Sequence, residues 1–117
     1  MSRVLIVEDE VLVAMHLEDL LVDLGHKVVG PVNRIEPAMA LARDADIDFA
    51  ILDVNIAGSL SYPVADILRQ RRISFVFTTG YGADGLLDDY RQEATLTKPY
   101  EARDLERAVA KACRSLV

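Results

Sequence analysis

The chain has one cysteine, Cys113, in 117 residues, which leaves no disulfide framework and no thiolate metal cluster to build from. A reducing interior suits such a sequence. It also lacks a basic face. Thirteen Lys and Arg stand against 19 Asp and Glu, a formal net charge of -6, and no basic block interleaves with aromatic residues. This argues against direct nucleic-acid binding, because phosphates must be neutralised by a basic surface. The densest basic group, Arg69, Arg71 and Arg72, falls at the end of an expected helix, where cations complement the helix dipole. A long apolar run is missing too. Met1-Ser2-Arg3 leads straight into Val4-Leu5-Ile6-Val7, with neither a signal-peptide pattern nor a membrane span, so a cytoplasmic protein without membrane contact is expected. His16 and His26 are far apart and have no cysteine partners, which removes the usual zinc patterns. Both are read as structural or solvated, and no internal repeat is visible.

What is present is a sequence 51% hydrophobic and 27% charged, enough for one compact domain over residues 1–117. Short apolar runs at 3–7, 27–30, 49–53, 73–77 and 94–97 read as strands. Between them lie segments with helical spacing. Val13, Leu17, Leu20, Leu21 and Leu24 form the first apolar stripe, ended by Gly25. Residues 36–43 form the second helix, with Pro37 in its first turn, and Pro63 opens the third, with Ala65, Ile67 and Leu68 inward. Leu86, Leu87 and Tyr90 mark one short fourth helix in a segment containing Gly80, Gly82 and Gly85, expected to be the most mobile stretch. The last helix spans about 101–116, with Leu105, Val109 and Ala112 inward. Residues 54–61 read as a loop at the rim of a site. Strands alternating with helices predict an α/β fold: a doubly wound, five-stranded parallel sheet with helices on both faces. The flavodoxin-like order 2-1-3-4-5 suits it and makes strands one and three neighbours.

That adjacency brings Glu8 and Asp9 to Asp53, the acid that ends the apolar run Phe49-Ala50-Ile51-Leu52. Three crowded carboxylates repel one another unless a cation offsets them. Hard oxygen ligands of this kind suit Mg²⁺. Thr79 ends the fourth strand and Lys98 the fifth, at the same edge. A carboxylate nucleophile, a metal, a hydroxyl and an ammonium are what phosphoryl transfer onto Asp53 requires. Each residue alone has a plainer reading: Thr79 as a turn residue, Lys98 as solvated, Glu8-Asp9-Glu10 as acids at a helix start.

These residues resemble those of the receiver domains of two-component response regulators, the chemotaxis-regulator fold. The resemblance rests on Val7-Glu8-Asp9-Glu10, Ile51-Leu52-Asp53, Thr79 and Lys98-Pro99, and covers essentially the whole chain. It implies that Asp53 is the phosphoacceptor, that Asp9 binds Mg²⁺ directly and Glu8 through water, and that the Asn55 backbone carbonyl completes the protein ligands. It also implies that Thr79 and Lys98 bind phosphoryl oxygens, and that the peptide before Pro99 is often cis. Phe77-Thr78-Thr79-Gly80-Tyr81-Gly82 is similar to the motif of the FAT GUY receivers, with Thr78 in place of alanine. That subgroup is often paired with HWE-type histidine kinases. Thr95 stands where many receivers have a switch tyrosine or phenylalanine, so inward movement of Thr79 and reordering of residues 81–90 are expected in its place.

The expected function is therefore a signalling module, not a conventional enzyme. It takes a phosphoryl group from a histidine kinase or phosphotransfer protein, catalysing its own phosphorylation and slow dephosphorylation. Its output is then a protein contact or onward phosphotransfer, through the face of the fourth helix, fifth strand and last helix, including Tyr100, Arg103 and Arg107. Tyr100 equally suits simple packing after the proline. Two alternatives stand beside it. One is a phosphorylation-independent binding module. The other is a small haloacid-dehalogenase-like phosphatase, which wants an acid two residues after its nucleophile, where this chain has Asn55, and a later acidic pair, for which only Asp88-Asp89 offers itself.

Overall fold

A strand whose successive side chains are all apolar must be covered on both faces, and in the computed structural model Val4, Leu5, Ile6 and Val7 are all fully buried. The structure describes residues 2–80, 86–87, 90, 94–98 and 101–114. In chain order these form β1 (Arg3–Val7), α1 (Val11–Asp23), β2 (Lys27–Val32), α2 (Ile35–Asp44), β3 (Phe49–Asp53), β4 (Asn55–Ile56), β5 (Ser59–Leu60), α3 (Tyr62–Gln70), β6 (Ser74–Thr79), β7 (Thr95–Thr97) and α4 (Ala102–Arg114). The main sheet is parallel, in the order β2-β1-β3-β6-β7. This is the expected flavodoxin-like arrangement.

Alternation along the strands sends side chains to two separate cores. Val4, Ile6, Phe49, Ile51 and Val76 meet Leu17 and Leu21 of α1 and Leu105 and Val109 of α4. Leu5, Val7, Ala50, Leu52 and Phe77 meet Ala38 and Ala42 of α2 and Val64, Ala65 and Leu68 of α3. Both faces of the sheet are thus closed, and only its edges and strand ends are left for chemistry.

Three expectations need correction. The buried row of α1 is Ala14, Leu17 and Leu21, with Val13 and Leu20 packed at its margin. Leu24 is 38% exposed, because it caps the helix just before Gly25 turns the chain at φ 90°. The second strand runs past Gly30 to Val32, with its register against β1 shifting between Leu5 and Val7. At Gly30, φ is 96°, and a Cβ there would stand 2.9 Å from the Val32 nitrogen and 3.2 Å from the Ile6 carbonyl oxygen, so glycine is what permits the shift. Finally, residues 54–61 contain a small antiparallel hairpin, β4 with β5. Its two-residue turn, Ala57 and Gly58, has positive φ at both positions, as the tightest hairpins require.

Near the expected fourth helix, Leu86 is buried and Leu87 is 57% exposed. Gly80 and Tyr90 are described as well, whereas Tyr81, Gly82, Gly85, Asp88 and Asp89 lie outside the described residues, as do Pro99 and Tyr100.

Candidate functional site

Each strand end delivers one part of the site. β1 hands over to Glu8, whose N–H donates to the Val32 carbonyl at 3.0 Å, so the extension of β2 past Gly30 fixes its backbone. β3 ends in Asp53, set beside Thr78 of β6. β6 ends in Thr79, whose carbonyl accepts the Lys98 N–H at 2.8 Å. Because β1 lies between β2 and β3, and β6 between β3 and β7, all of these meet at one edge.

Glu8 and Asp53 are 3% and 7% exposed. One carboxylate oxygen from each of Glu8, Asp9 and Asp53 lies within 4.8 Å of the other two. Lys98 Nζ donates to Asp53 Oδ2 at 2.9 Å and to Glu8 Oε1 at 3.4 Å. One ammonium thus serves two buried acids. The expected residues Glu8, Asp9, Asp53, Thr79 and Lys98 are all gathered at this edge. Asn55 opens β4 close by; its N–H donates to Asp53 Oδ1 at 3.3 Å, and its side-chain oxygen accepts from Gly58 N–H at 3.0 Å.

The charges show which group is least comfortable. Burial, and then the neighbouring Asp53 carboxylate, push Glu8 up to about 8. Without a metal, these two causes favour the protonated form of Glu8. Asp9 moves the other way: burial opposes its charge, but hydrogen bonds, foremost from the Ala57 N–H, outweigh it and hold the carboxyl below its ordinary value. Lys98 is raised because its partners, led by Asp53, overcome the cost of burial. Among the described residues the site holds three acids against one cation, Lys98. A hard divalent ion relieves that imbalance, and opposite oxygens around octahedral Mg²⁺ lie about 4 Å apart, so the carboxylate set fits such an ion with little movement.

The sequence pattern gave no sign of what holds Asp9. Ala57 N–H donates to Asp9 Oδ2 at 3.0 Å, from the turn of the β4–β5 hairpin. The usual Asn-Gly or Asp-Gly signal is absent there. Only the glycine at position 58 pointed to it.

Fold and site together define a receiver. The family model of the response regulator receiver domain matches residues 4–110, and the chain belongs to that family of two-component signalling domains. The phosphatase alternative is set aside by this membership. The chain is 30% identical over 115 residues to the phyllosphere-induced regulator PhyR of Methylorubrum extorquens, covering 95% of this chain and 43% of that protein. Among solved structures it is similar to SdrG from Sphingomonas melonis Fr1, with a TM-score of 0.85, 42% identity and 97% of each chain covered. A BeF3-activated conformation of SdrG, from Pseudomonas melonis Fr1, matches at TM-score 0.78 and 43% identity over 92% of each chain. The chain spans about half the length of the curated relatives PhyR and PdtaR that it matches.

Proposed function

We propose that this receiver, read as one domain over residues 1–117, accepts a phosphoryl group on Asp53 from a histidine kinase or phosphotransfer protein and thereby switches a protein contact. The observation that carries the reading is the Lys98 ammonium shared between Asp53 and Glu8, with Asp9 at metal-ligand spacing. Asp53 is the nucleophile. In the transfer its carboxylate oxygen forms the new O–P bond as the P–N bond to the donor imidazole breaks, and the donor nitrogen keeps the electron pair. Lys98, already 2.9 Å from Asp53, neutralises charge on the phosphoryl oxygens, and Thr79 supplies a hydroxyl at the same edge. Asp9 and Asp53, with Glu8 through water and the Asn55 carbonyl, would hold Mg²⁺. When bound, the ion offsets the negative charge that gathers between donor and acceptor. The same residues serve self-catalysed phosphorylation and slow dephosphorylation; no separate substrate is turned over.

The donor must approach Asp53 past the start of α1. Val11, Leu12 and Met15 there are 64%, 80% and 53% exposed, an apolar surface directly after Glu8-Asp9-Glu10 and suited to a helical partner. The kinase is HWE-type if the FAT GUY resemblance holds. The output surface is the face of the expected fourth helix, β7 and α4, where Arg103 and Arg107 are exposed while paired with Glu101 and Asp104. A cytoplasmic location fits: among the described residues no helix is long and apolar enough to cross a membrane. The acidic balance, 19 acids against 13 bases, argues against direct nucleic-acid binding.

The test is intact mass after incubation with acetyl phosphate, with Mg²⁺ and then with excess chelator, beside Asp53→Asn. A Mg²⁺-dependent gain of one phosphoryl group, absent from the variant, is the expected result. If neither acetyl phosphate nor a cognate kinase labels the wild-type chain, the phosphorylation-independent binding module takes its place.

A further inference from the structure

The β4–β5 hairpin that follows Asp53 is fixed at its base and strained at its tip. Val54 N–H donates to the Thr78 carbonyl at 3.2 Å, and Ser61 N–H to the Val54 carbonyl at 2.8 Å, so the hairpin springs from the main sheet. Ile56, paired with Ser59, is buried. At the tip Ala57 has φ 52° and Gly58 φ 86°. Glycine takes the left-handed region freely, whereas alanine pays a steric penalty there and has no polar side chain to offset it. A residue in that state keeps it only where its surroundings impose it.

Two hydrogen bonds impose it. The Asn55 side-chain oxygen accepts from Gly58 N–H at 3.0 Å, and Asp9 Oδ2 accepts from Ala57 N–H at 3.0 Å. Asn55 N–H in turn donates to Asp53 Oδ1 at 3.3 Å. A closed circuit results, from Asp53 to the backbone of Asn55, from the Asn55 amide to the turn, and from the turn to Asp9. The Asp9 carboxylate keeps oxygen lone pairs for a further partner, because a carboxylate accepts about four bonds in all. Asn55 is exposed, so its side chain adds nothing to the packing of the core.

We propose that the Asn55 side chain is a positioning residue for the metal site: it holds the Ala57–Gly58 turn in its left-handed conformation, and the turn holds the Asp9 carboxylate where a divalent ion can bridge it to Asp53. The inference rests on the phosphoacceptor reading above and adds a role for the Asn55 side chain to that of its carbonyl. Without the amide oxygen Ala57 is free to leave the left-handed region. The peptide between Ile56 and Ala57 then rotates, and its N–H turns away from Asp9. The ion must order Asp9 itself, and its affinity falls. Groups that orient a metal ligand without touching the metal commonly govern affinity in this way. The effect falls on binding of the ion and not on the transfer at Asp53, because an ion that saturates the site brings Asp9 into place whatever the turn does.

The test is a Mg²⁺ titration of the full chain, followed through the amide signals of Asp53 and residue 57, for wild type, Asn55→Ala and the double variant Asn55→Ala with Ala57→Asn. Labelling by acetyl phosphate is measured on the same proteins across Mg²⁺ concentrations. Asn55→Ala keeps the backbone N–H and carbonyl of residue 55. It is expected to bind Mg²⁺ about three- to tenfold more weakly, to need correspondingly more Mg²⁺ for half-maximal labelling, and to reach the wild-type rate at saturating Mg²⁺. Asparagine takes positive φ more readily than alanine, so the double variant should recover most of the lost affinity while residue 55 still lacks its amide. Unchanged Mg²⁺ affinity in Asn55→Ala overturns the proposal and leaves the phosphoacceptor reading standing. So does a loss that the double variant does not recover, or a labelling rate that stays low at saturating Mg²⁺, since the amide then acts at the ion or the phosphoryl group and not through the turn. A wild type that binds Mg²⁺ but takes no label from acetyl phosphate or a cognate kinase overturns the phosphoacceptor reading alone. Absence of Mg²⁺ binding by the wild type overturns both.

Discussion

Replacing Asp53 by asparagine should release the proton that Glu8 holds. Two unit charges within 4.8 Å of each other repel by at least roughly 3 kcal/mol at the effective dielectric suited to protein sites, and each pH unit corresponds to about 1.4 kcal/mol. Burial, the larger cause of the Glu8 shift, survives the substitution, so the carboxyl falls from about 8 but stays above the value of a free glutamate. Lys98, freed from Asp53, turns wholly to Glu8 and deepens the fall. The assay is a carbon-detected titration of the Glu8 carboxyl in chelator-treated protein.

Stability must follow the same proton. The folded-state value of Glu8 lies above its ordinary 4.5, so its contribution is fully present below that value and is lost as pH rises through about 8. Chelated wild type should therefore weaken toward denaturant between about pH 5 and pH 8, whereas Asp53→Asn should finish losing this contribution at a lower pH than wild type. Mg²⁺ favours the ionised carboxyl, so its binding to wild type near neutral pH should release a proton. If Glu8 titrates within about half a unit of the same value in both proteins, the Asp53 charge is not what holds the proton, and the reasoning fails.

Other substitutions test separate parts of the molecule. Lys98→Met should slow labelling by acetyl phosphate on the order of 100-fold, read by mass spectrometry, because one preorganised charge facing the phosphoryl group is gone; labelling at the wild-type rate counts against its role. Leu12→Ser should leave acetyl-phosphate labelling unchanged and reduce transfer from a cognate kinase at least several-fold, on the order of the loss of one buried leucine contact; equal kinase transfer would remove the start of α1 from the docking surface. Ser61→Ala should stabilise the fold by about 1 kcal/mol, a few degrees in Tm, because the Ser61 hydroxyl is fully buried and has no partner among the described residues; a lower Tm would show that the hydroxyl is hydrogen-bonded. Leu52→Ala should cost about 2–5 kcal/mol in denaturant unfolding, since Leu52 is fully buried; a loss well under that range would show that the core beside Asp53 can collapse around the gap.

The sheet was legible because its central strands leave no ambiguity. Four apolar residues in a row before Glu8, and four before Asp53, can only be covered on both sides, and the five-strand topology then follows from alternation with helices. The acids, Thr79 and Lys98 were legible for a related reason: in a parallel sheet every strand end faces the same edge, so residues distant in sequence converge without any knowledge of loops. What stayed hidden depends on single backbone angles and on packing between elements. Ala57 at φ 52° gives no compositional sign of the hairpin that seats Asp9. Gly30 looked like the end of β2 and is in fact the point where the strand shifts register and goes on to anchor Glu8. Tyr90 read as one more apolar position of a short helix, because nothing in its neighbours announces its contacts with Tyr62, Asp66 and Arg69 on one stripe of α3.

The two classes of residue therefore divide the work. Chemistry at the strand ends is set by topology, which the apolar pattern dictates, and any chain with this pattern acquires an edge where acids can meet. How the chemistry is felt elsewhere depends on side chains that no periodicity requires. Phe77 belongs to both classes. It is a fully buried core residue of β6, which the apolar run demands, and it is also the ring on which Tyr62 and Tyr90 close. It also stands close to the site: Thr79 lies two residues further along β6, the strand next to the one that ends in Asp53.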